Sequence, residues 1–166
     1  MLWKFVALAV AGYLLGTING AIVVSRLTYR DDVRQHGSGN AGLTNFLRTY
    51  GGIATVLVLV IDAAKTIVAC LIAQSVFQGS AQLDFGKMWT GFFVVLGHMY
   101  PVFFHFKGGK GVLCCAALAL MMDVQLFAIL AVIFALCLAI SRYVSLTSCI
   151  SAAAFSCVFT IFFWKN

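Results

Sequence analysis

The chain has 166 residues, of which 63% are hydrophobic and only 10% are charged, and its mean hydropathy is +1.03. This composition excludes a soluble globular domain and predicts an integral membrane protein. Basic residues outnumber acidic ones by eleven to five, so a formal charge of +6 falls on a few loops. Such loops suit anionic lipid headgroups or anionic substrates, and we expect no nucleic-acid partner.

The cysteines do not indicate a metal centre. All of them lie in apolar stretches without the CxxC or Cys/His spacing that a zinc site requires. We therefore interpret them as small packing residues and expect no metal and no cofactor. They are Cys70, Cys114, Cys115, Cys137, Cys149 and Cys157.

The first apolar run, residues 3–25, is long enough to cross a hydrocarbon core of about 30 Å. Gly12, Gly16 and Gly20 recur within it at a four-residue spacing, and no small-residue cleavage pattern follows. This spacing favours a retained helix in close contact with a neighbour over a removed signal peptide.

Further apolar runs complete a polytopic, all-α transmembrane bundle. The fourth run corresponds to only about 16 Å of helix, so it is either a tilted span or a re-entrant segment. A tight turn at Ser141-Arg142 separates the last two. These runs are residues 52–77, 88–104, 112–122, 124–140 and 143–164.

The distribution of basic residues predicts the orientation, because short loops rich in Lys and Arg tend to stay in the cytoplasm. Placing all three basic loops on one side requires the fourth run to cross, which gives six spans with the N-terminus outside. These loops carry Arg26, Arg30, Arg34 and Arg48, then Lys107 and Lys110, and finally Arg142.

A glycine-rich polar segment, residues 37–45, follows the first span. Glycine lets several backbone N–H groups point at one anion, and Arg supplies a forked cationic donor. The segment is therefore a candidate phosphate site, although a polar loop of ordinary turn residues is the alternative. The candidates are Gly37, Ser38, Gly39, Asn40, Gly42, Thr44, Asn45 and Arg48.

A second glycine-rich segment, residues 106–111, follows the third span. It lacks the Gly-x4-Gly-Lys-Ser/Thr pattern of a nucleotide-binding P-loop, so ATP hydrolysis is not indicated. Its lysines could neutralise an anion or could serve only to set the topology. Nearby, His98 could act as a general base or as a donor to phosphate, or could be a satisfied structural group. The candidates in the segment are Lys107, Gly108, Gly109, Lys110 and Gly111.

Three motifs in order resemble one family, the bacterial acyl-phosphate:glycerol-3-phosphate acyltransferases, which are integral membrane enzymes of phospholipid synthesis. The motifs are GSGNAGLTNFLR at 37–48, GHMYPVFFHFKGGKG at 97–111 and RYVSLTSCI at 142–150. Asp62 and Lys65 also resemble an Asp-x-x-Lys element of the family. Because charges in lipid are costly, we expect these two side chains to neutralise each other or to face a polar cavity.

The resemblance implies that one domain, residues 1–166, transfers a fatty acyl group from acyl phosphate to the 1-hydroxyl of glycerol 3-phosphate. It implies catalytic roles for Ser38, His98 and Arg48, and an active site on the cytoplasmic face of a bacterial plasma membrane. Ser145 and Ser148 would face the same cavity, or would bond to helix carbonyls as packing hydroxyls.

Family members continue beyond the point that corresponds to Asn166, through a seventh span and a basic tail containing His and Asn. The comparison therefore implies six spans here and leaves three alternatives open: a truncated chain, a fragmentary gene product, or a divergent or catalytically impaired relative. Thr17-Ile18-Asn19 stands where the family more often has Ser-Ile-Pro, a change that we assign to packing. A small anion transporter, with Asp62 and Lys65 as its best support, and a structural subunit are the alternatives from other classes.

Overall fold

A computed structural model of the protein describes residues 1–164. Within these residues the secondary structure is entirely helical, which confirms the predicted all-α class. Two short 3-10 turns, Val33–Gln35 and Val102–Phe104, lie between helices. The α helices are α1 (Leu2–Gly16), α2 (Gly20–Tyr29), α3 (Leu43–Tyr50), α4 (Ala54–Phe77), α5 (Leu83–Met99), α6 (Val112–Met122), α7 (Val124–Ser141) and α8 (Val144–Trp164).

The backbone forms two compact units, which are described separately. The first unit comprises Met1–Leu118, and the second begins at Ala119. The first unit contains α1 to α5 and both glycine-rich segments, so it carries most of the candidate site. The single domain over residues 1–166 stays a prediction.

The first predicted span was wrong in one respect, since residues 3–25 are not one continuous helix. The helix breaks between α1 and α2, where Asn19 has an extended backbone and caps α2 by accepting a hydrogen bond from the Ile22 N–H at 3.1 Å. Thr17 Oγ1 donates to the Leu14 carbonyl at 2.6 Å on the other side of the break. A short polar side chain at an N-cap stabilises such a helix start.

Close contact explains the glycine repeat of α1, as predicted. A Cβ on Gly12 would lie 2.6 Å from the Thr90 carbonyl oxygen, and one on Gly16 would lie 2.9 Å from the Val94 Cα atom. Successive glycines of α1 thus meet successive turns of α5, so the two helices run in the same direction. A Cβ on Gly20 would instead lie 2.9 Å from the Val58 carbonyl oxygen of α4.

The third predicted span, residues 88–104, is displaced from the observed helix. Helix α5 is Leu83–Met99, five residues earlier at each end. Pro101 cannot donate a backbone hydrogen bond and disfavours a helical conformation at Tyr100, so the helix ends there. The start was missed because Lys87 was assigned to the preceding connection, whereas it is buried and paired with Asp84 at 2.9 Å.

The second unit contains the turns that the sequence predicted. Asp123 caps α7 by accepting hydrogen bonds from Gln125 N and Leu126 N at 2.7 and 2.9 Å. Arg142, in the left-handed conformation, ends α7 and donates its N–H to the Leu138 carbonyl at 2.8 Å. Helices α6, α7 and α8 lie within one residue of the fourth, fifth and sixth predicted segments.

Three segments of the described chain are long and apolar enough to cross a membrane: Leu2–Tyr29, Ala54–Phe77 and Val124–Ser141. The segment Leu2–Tyr29 includes the break between α1 and α2, so two helices share one candidate crossing. Six spans and an external N-terminus stay predictions.

Candidate active site

We name residues 30–42 the first loop and residues 100–111 the second loop. Asn45, the third residue of α3, gives the first loop its shape. Its amide Nδ2 donates to the carbonyl oxygens of Val33 and His36, both at 3.0 Å, and its Oδ1 accepts from Ser38 N at 3.0 Å. Both N–H bonds of the Asn45 amide are used inside the loop. Its predicted contact with phosphate is therefore unsupported, and we assign it to loop shape instead.

Arg34 connects the two loops. Its Nη1 donates to the carbonyl oxygens of Phe104 at 2.8 Å and Lys107 at 3.0 Å. Its Nε and Nη2 hold both carboxylate oxygens of Asp32 at 2.9 and 2.7 Å. A planar guanidinium with five donors can make all of these bonds at once, which a lysine cannot do.

A second connection runs through the backbone. Ala41 of the first loop donates its N–H to the Gly108 carbonyl of the second loop at 3.4 Å, and the Ala41 carbonyl accepts from Asn19 Nδ2 at 3.1 Å. The helix break, the first loop and the second loop are therefore joined. The two glycine-rich segments, which are about seventy positions apart in the chain, share one end of the first unit.

Carboxylates partly balance the cations of the first loop. Asp31 accepts hydrogen bonds from the Tyr50 hydroxyl and the His36 ring at 2.7 Å each, and the Tyr50 bond is the main reason that the pKa of Asp31 lies below its usual value. The bonds from Arg34 similarly lower the pKa of Asp32. Burial, followed by the bond to Asp31, raises the pKa of Tyr50 to about 12. Both carboxylates are therefore ionised at neutral pH.

A buried polar network lies beneath the loops, at the helix break. Lys65 Nζ lies 2.8 Å from Asp62 Oδ1 and 2.8 Å from His98 Nδ1. Asp62 Oδ1 also accepts the Gly20 N–H at 3.0 Å, at the first turn of α2. The predicted mutual neutralisation of Asp62 and Lys65 is confirmed. The pair holds the break in place, so the feature that favoured a transporter has a structural explanation.

His98 lies between this network and the second loop. It is 3% exposed, and its carbonyl accepts the Gly109 N–H at 3.1 Å. A Cβ on Gly109 would overlap His98 Nε2 and would lie 2.5 Å from the Ala41 carbonyl oxygen. The absence of a side chain at position 109 therefore lets the imidazole approach the junction of the two loops.

Exposed polar and cationic side chains lie on the two loops and on α3, the helix that follows the first loop. The N–H groups in the first turn of α3 have no acceptor within the helix and can receive an anion. Gly37, Gly39 and Gly111 have positive φ angles of 55°, 70° and 75°, which allow the turns. Asn40 is partly buried and Gly42 caps α3. The exposed side chains are Ser38, Thr44, Arg48, Lys107 and Lys110.

Two predicted supporting residues, Ser145 and Ser148, lie on α8 in the second unit. Ser148 Oγ donates to the Val144 carbonyl at 2.6 Å, which agrees with the packing role that was left open for it. Ser145 is exposed on the same helix. That Ser145 and Ser148 face the substrate cavity stays a prediction.

Two residues have structural roles that the sequence analysis does not predict. Asn19, which the sequence assigns to packing, caps α2 and donates a hydrogen bond to the first loop. A lone amide between two apolar helical segments was the available signal. Arg34 was treated only as a cytoplasmic charge, and no local pattern indicates its carbonyl partners seventy residues away.

The sequence profile of the family described as glycerol-3-phosphate acyltransferase matches residues 6–165. The chain is 43% identical over 145 residues to "Glycerol-3-phosphate acyltransferase 2" of Bacillus cereus, covering 87% of this chain and 71% of that protein. It is 36% identical over 156 residues to "Glycerol-3-phosphate acyltransferase" of Macrococcus caseolyticus, covering 94% and 77%.

Solved structures agree with these sequence matches. The crystal structure of PlsY (YgiH), an integral membrane glycerol 3-phosphate acyltransferase, in its glycerol 3-phosphate form has a TM-score of 0.84 and 34% identity. Its lysophosphatidic acid form has a TM-score of 0.81 and 33% identity. Each comparison covers 95% of this chain and 76% of the other. Taken with the family profile, these likenesses establish that the chain belongs to the glycerol-3-phosphate acyltransferase family.

Proposed function

We propose that this protein transfers a fatty acyl group from acyl phosphate to the 1-hydroxyl of glycerol 3-phosphate and releases lysophosphatidic acid and phosphate. The PlsY structures in glycerol 3-phosphate and lysophosphatidic acid forms support the acceptor and the product. Acyl phosphate as the donor rests on the three motifs. The junction of the two loops, through Arg34 and through Ala41 and Gly108, is the observation that carries the proposal.

Two phosphorylated substrates require two anion sites close together. We assign Ser38, Arg48 and the N-terminus of α3 to one phosphate, and Lys107 and Lys110 to the other. Residues 26–48 and 107–110 contain six basic side chains and two acidic ones, so an excess of positive charge favours two anions at this end. Held side by side, the hydroxyl and the acyl carbon react as if within one molecule.

The chemistry needs no covalent enzyme intermediate, because acyl phosphate is already activated. The hydroxyl oxygen of glycerol 3-phosphate forms a bond to the acyl carbon, and the bond from that carbon to the phosphate oxygen breaks. Phosphate leaves with the electron pair, and the hydroxyl proton passes to a phosphate oxygen. Negative charge develops on the acyl oxygen and on the leaving phosphate. Positioned lysine, arginine and backbone N–H donors stabilise this charge.

We place the site on the cytoplasmic face of a bacterial plasma membrane. The basic loops of the first unit lie at one end of it, and such loops tend to stay in the cytoplasm. A cysteine introduced at Ser38 should react with an impermeant thiol reagent in inside-out vesicles and not in right-side-out vesicles. Labelling from the outside only would reverse this orientation.

Purified protein supplied with acyl phosphate and glycerol 3-phosphate tests the activity. We expect equal amounts of phosphate and lysophosphatidic acid. Arg48→Ala and Lys107→Ala should each reduce turnover roughly 100-fold or more without loss of folded protein, since both side chains are exposed and each supplies a charged hydrogen bond. Lys4→Ala, at the opposite end of α1, is the matched control and should retain normal turnover. Turnover with acyl-CoA but not with acyl phosphate would contradict the proposed donor.

A further inference from the structure

The ammonium group of Lys65 has more acceptors than it has hydrogens. Four acceptor atoms surround its Nζ: Asp62 Oδ1 and His98 Nδ1, both at 2.8 Å, Ile18 O at 2.9 Å and Gly16 O at 3.2 Å. An ammonium has three N–H donors. The three shortest contacts therefore account for its hydrogen bonds, and His98 Nδ1 is one of these acceptors.

Charge balance leads to the same protonation state. The single carboxylate, Asp62, lies 2.8 Å from the Lys65 ammonium and 3.5 Å from His98 Nδ1, so a second positive charge on His98 would leave the buried site with a net charge, which is costly. An alkyl ammonium also holds its proton more tightly than an imidazolium does. The Cys114 thiol also hydrogen-bonds with the His98 side chain, and it donates to the Asp62 backbone carbonyl with Sγ and O 3.7 Å apart. A neutral imidazole with a lone pair on Nδ1 fits both this geometry and this charge balance.

A neutral imidazole with a lone pair on Nδ1 carries its hydrogen on Nε2. The Nε2 edge of the ring lies against Gly109, at the junction of the loops. A phosphate oxygen bound at this junction would accept a charge-assisted hydrogen bond from Nε2–H.

We propose that Lys65 is a positioning residue that holds His98 in the Nε2–H tautomer, so that His98 donates a hydrogen bond to a substrate phosphate oxygen at the junction of the two loops. The inference rests on the proposed function and deepens it. The sequence left His98 as either a base or a donor, and this geometry assigns it as the donor. A ring nitrogen that already carries hydrogen cannot accept the proton of the glycerol 3-phosphate hydroxyl.

Two substitutions of His98 separate the donor from the base. Gln places an amide N–H near the position of Nε2 but cannot accept a proton, whereas Ala does neither. We expect His98→Gln to keep turnover within about 10-fold of the wild type, and His98→Ala to lose roughly 10- to 100-fold more, the effect of one hydrogen bond to a charged group. Equal and complete loss in both variants, with folded protein retained, would assign His98 as a base and overturn the proposal.

Nitrogen-15 NMR of histidine-labelled protein tests the role of Lys65 directly. The His98 signals, identified by their loss in His98→Gln, should show a protonated Nε2 and an unprotonated Nδ1. Lys65→Met should mix the two tautomers, and Lys65→Arg, which keeps a cationic donor, should restore Nε2–H. A protonated Nδ1 in the wild type would overturn the inference.

Titration with inorganic phosphate provides a readout that needs no turnover. Phosphate should shift the Nε2–H signal of His98 in the wild type. The signals of His36 and His105, which are exposed, report the general effect of the anion on a histidine in the same sample. If the wild type transfers no acyl group, the proposed function fails, while the tautomer and this shift still decide the present inference. An Nε2–H signal that does not respond to saturating phosphate would refute the donor role.

Discussion

Arg34 donates a hydrogen bond from Nη1 to the backbone carbonyl of Phe104 at 2.8 Å, so a side chain of the first loop fixes the main chain of the second. The same nitrogen reaches the Lys107 carbonyl at 3.0 Å, next to the residue that we assign to a substrate phosphate. Asp32 holds the other edge of the guanidinium. Together with the bond from Ala41 N–H to the Gly108 carbonyl, this arginine therefore determines the spacing of the two proposed phosphate positions.

Replacing Arg34 tests this dependence. Arg34→Met removes both bonds to the second loop, and Arg34→Lys can restore only part of them because an ammonium lacks the planar fork. We expect kcat/KM to fall roughly 10- to 100-fold in Arg34→Met and by less in Arg34→Lys, as charged hydrogen bonds are lost. Steady-state kinetics with both substrates measures the effect.

Arg30→Met is the matched control, since it removes the same charge from the same loop at an exposed position for which the structure describes no side-chain hydrogen bond. Its kinetics should stay close to those of the wild type. An equal loss in Arg30→Met and Arg34→Met would show that the charge of the loop matters and that the carbonyl contacts do not.

Gly109→Ala should damage the site by steric overlap. The added Cβ would lie 2.5 Å from the Ala41 carbonyl oxygen and would overlap the His98 ring. We expect a loss of about 1–3 kcal/mol in stability, as for other overpacked positions, together with reduced turnover. Gly79→Ala is the comparison, because φ is 73° there and nothing lies within 4 Å. It should cost about 1 kcal/mol through backbone strain and leave turnover intact.

Thermal unfolding in detergent and the transfer assay together measure both variants. Normal turnover in Gly109→Ala would mean that the loops can separate without loss of function, and would count against their fixed junction.

Acidification should weaken the structure of the first loop at a higher pH than that at which the helices unfold. The pKa values of Asp31 and Asp32 are lowered in the folded protein, so their stabilising contribution is present above the unfolded value of about 3.9 and is lost as the pH falls below it. Hydrogen exchange over residues 31–38, corrected for the intrinsic rate, should accelerate below about pH 4. Asp32→Asn should already show part of this acceleration at neutral pH.

If protection of these amides were the same at neutral pH as in strong acid, the ion pairs of Asp31 and Asp32 would have no role in ordering the loop.

The effects of replacing Asp62 and Lys65 on the free energy of unfolding should be strongly non-additive. Removing one partner leaves a buried charge without compensation, and such changes cost about 3–5 kcal/mol. We expect Asp62→Leu and Lys65→Met to be destabilising singly, and the double variant to be clearly more stable than the sum of the two effects predicts. Equilibrium unfolding in mixed micelles measures the free energies of unfolding of the wild type, both single variants and the double variant. Additive losses would mean that each side chain acts through its other partners, such as the Ile18 carbonyl or the Gly20 N–H.

Local features of the sequence are sufficient to predict the helical class, the membrane environment and most helix positions. These follow from local properties, namely the length of apolar runs and the turn preferences of residues such as Asp123 and Pro101. They also indicate both glycine-rich loops and the pairing of Asp62 with Lys65, because two opposite charges one turn apart within an apolar membrane span have few other partners.

How these parts meet depends on contacts between segments that are distant in the chain. The break at Asn19 depends on acceptors and donors from α4 and from the first loop, and the carbonyl partners of Arg34 lie seventy residues away. The contact between Lys65 Nζ and His98 Nδ1 joins residues thirty-three positions apart. No local pattern encodes such contacts, because a hydrogen bond between distant segments exists only once the helices have packed.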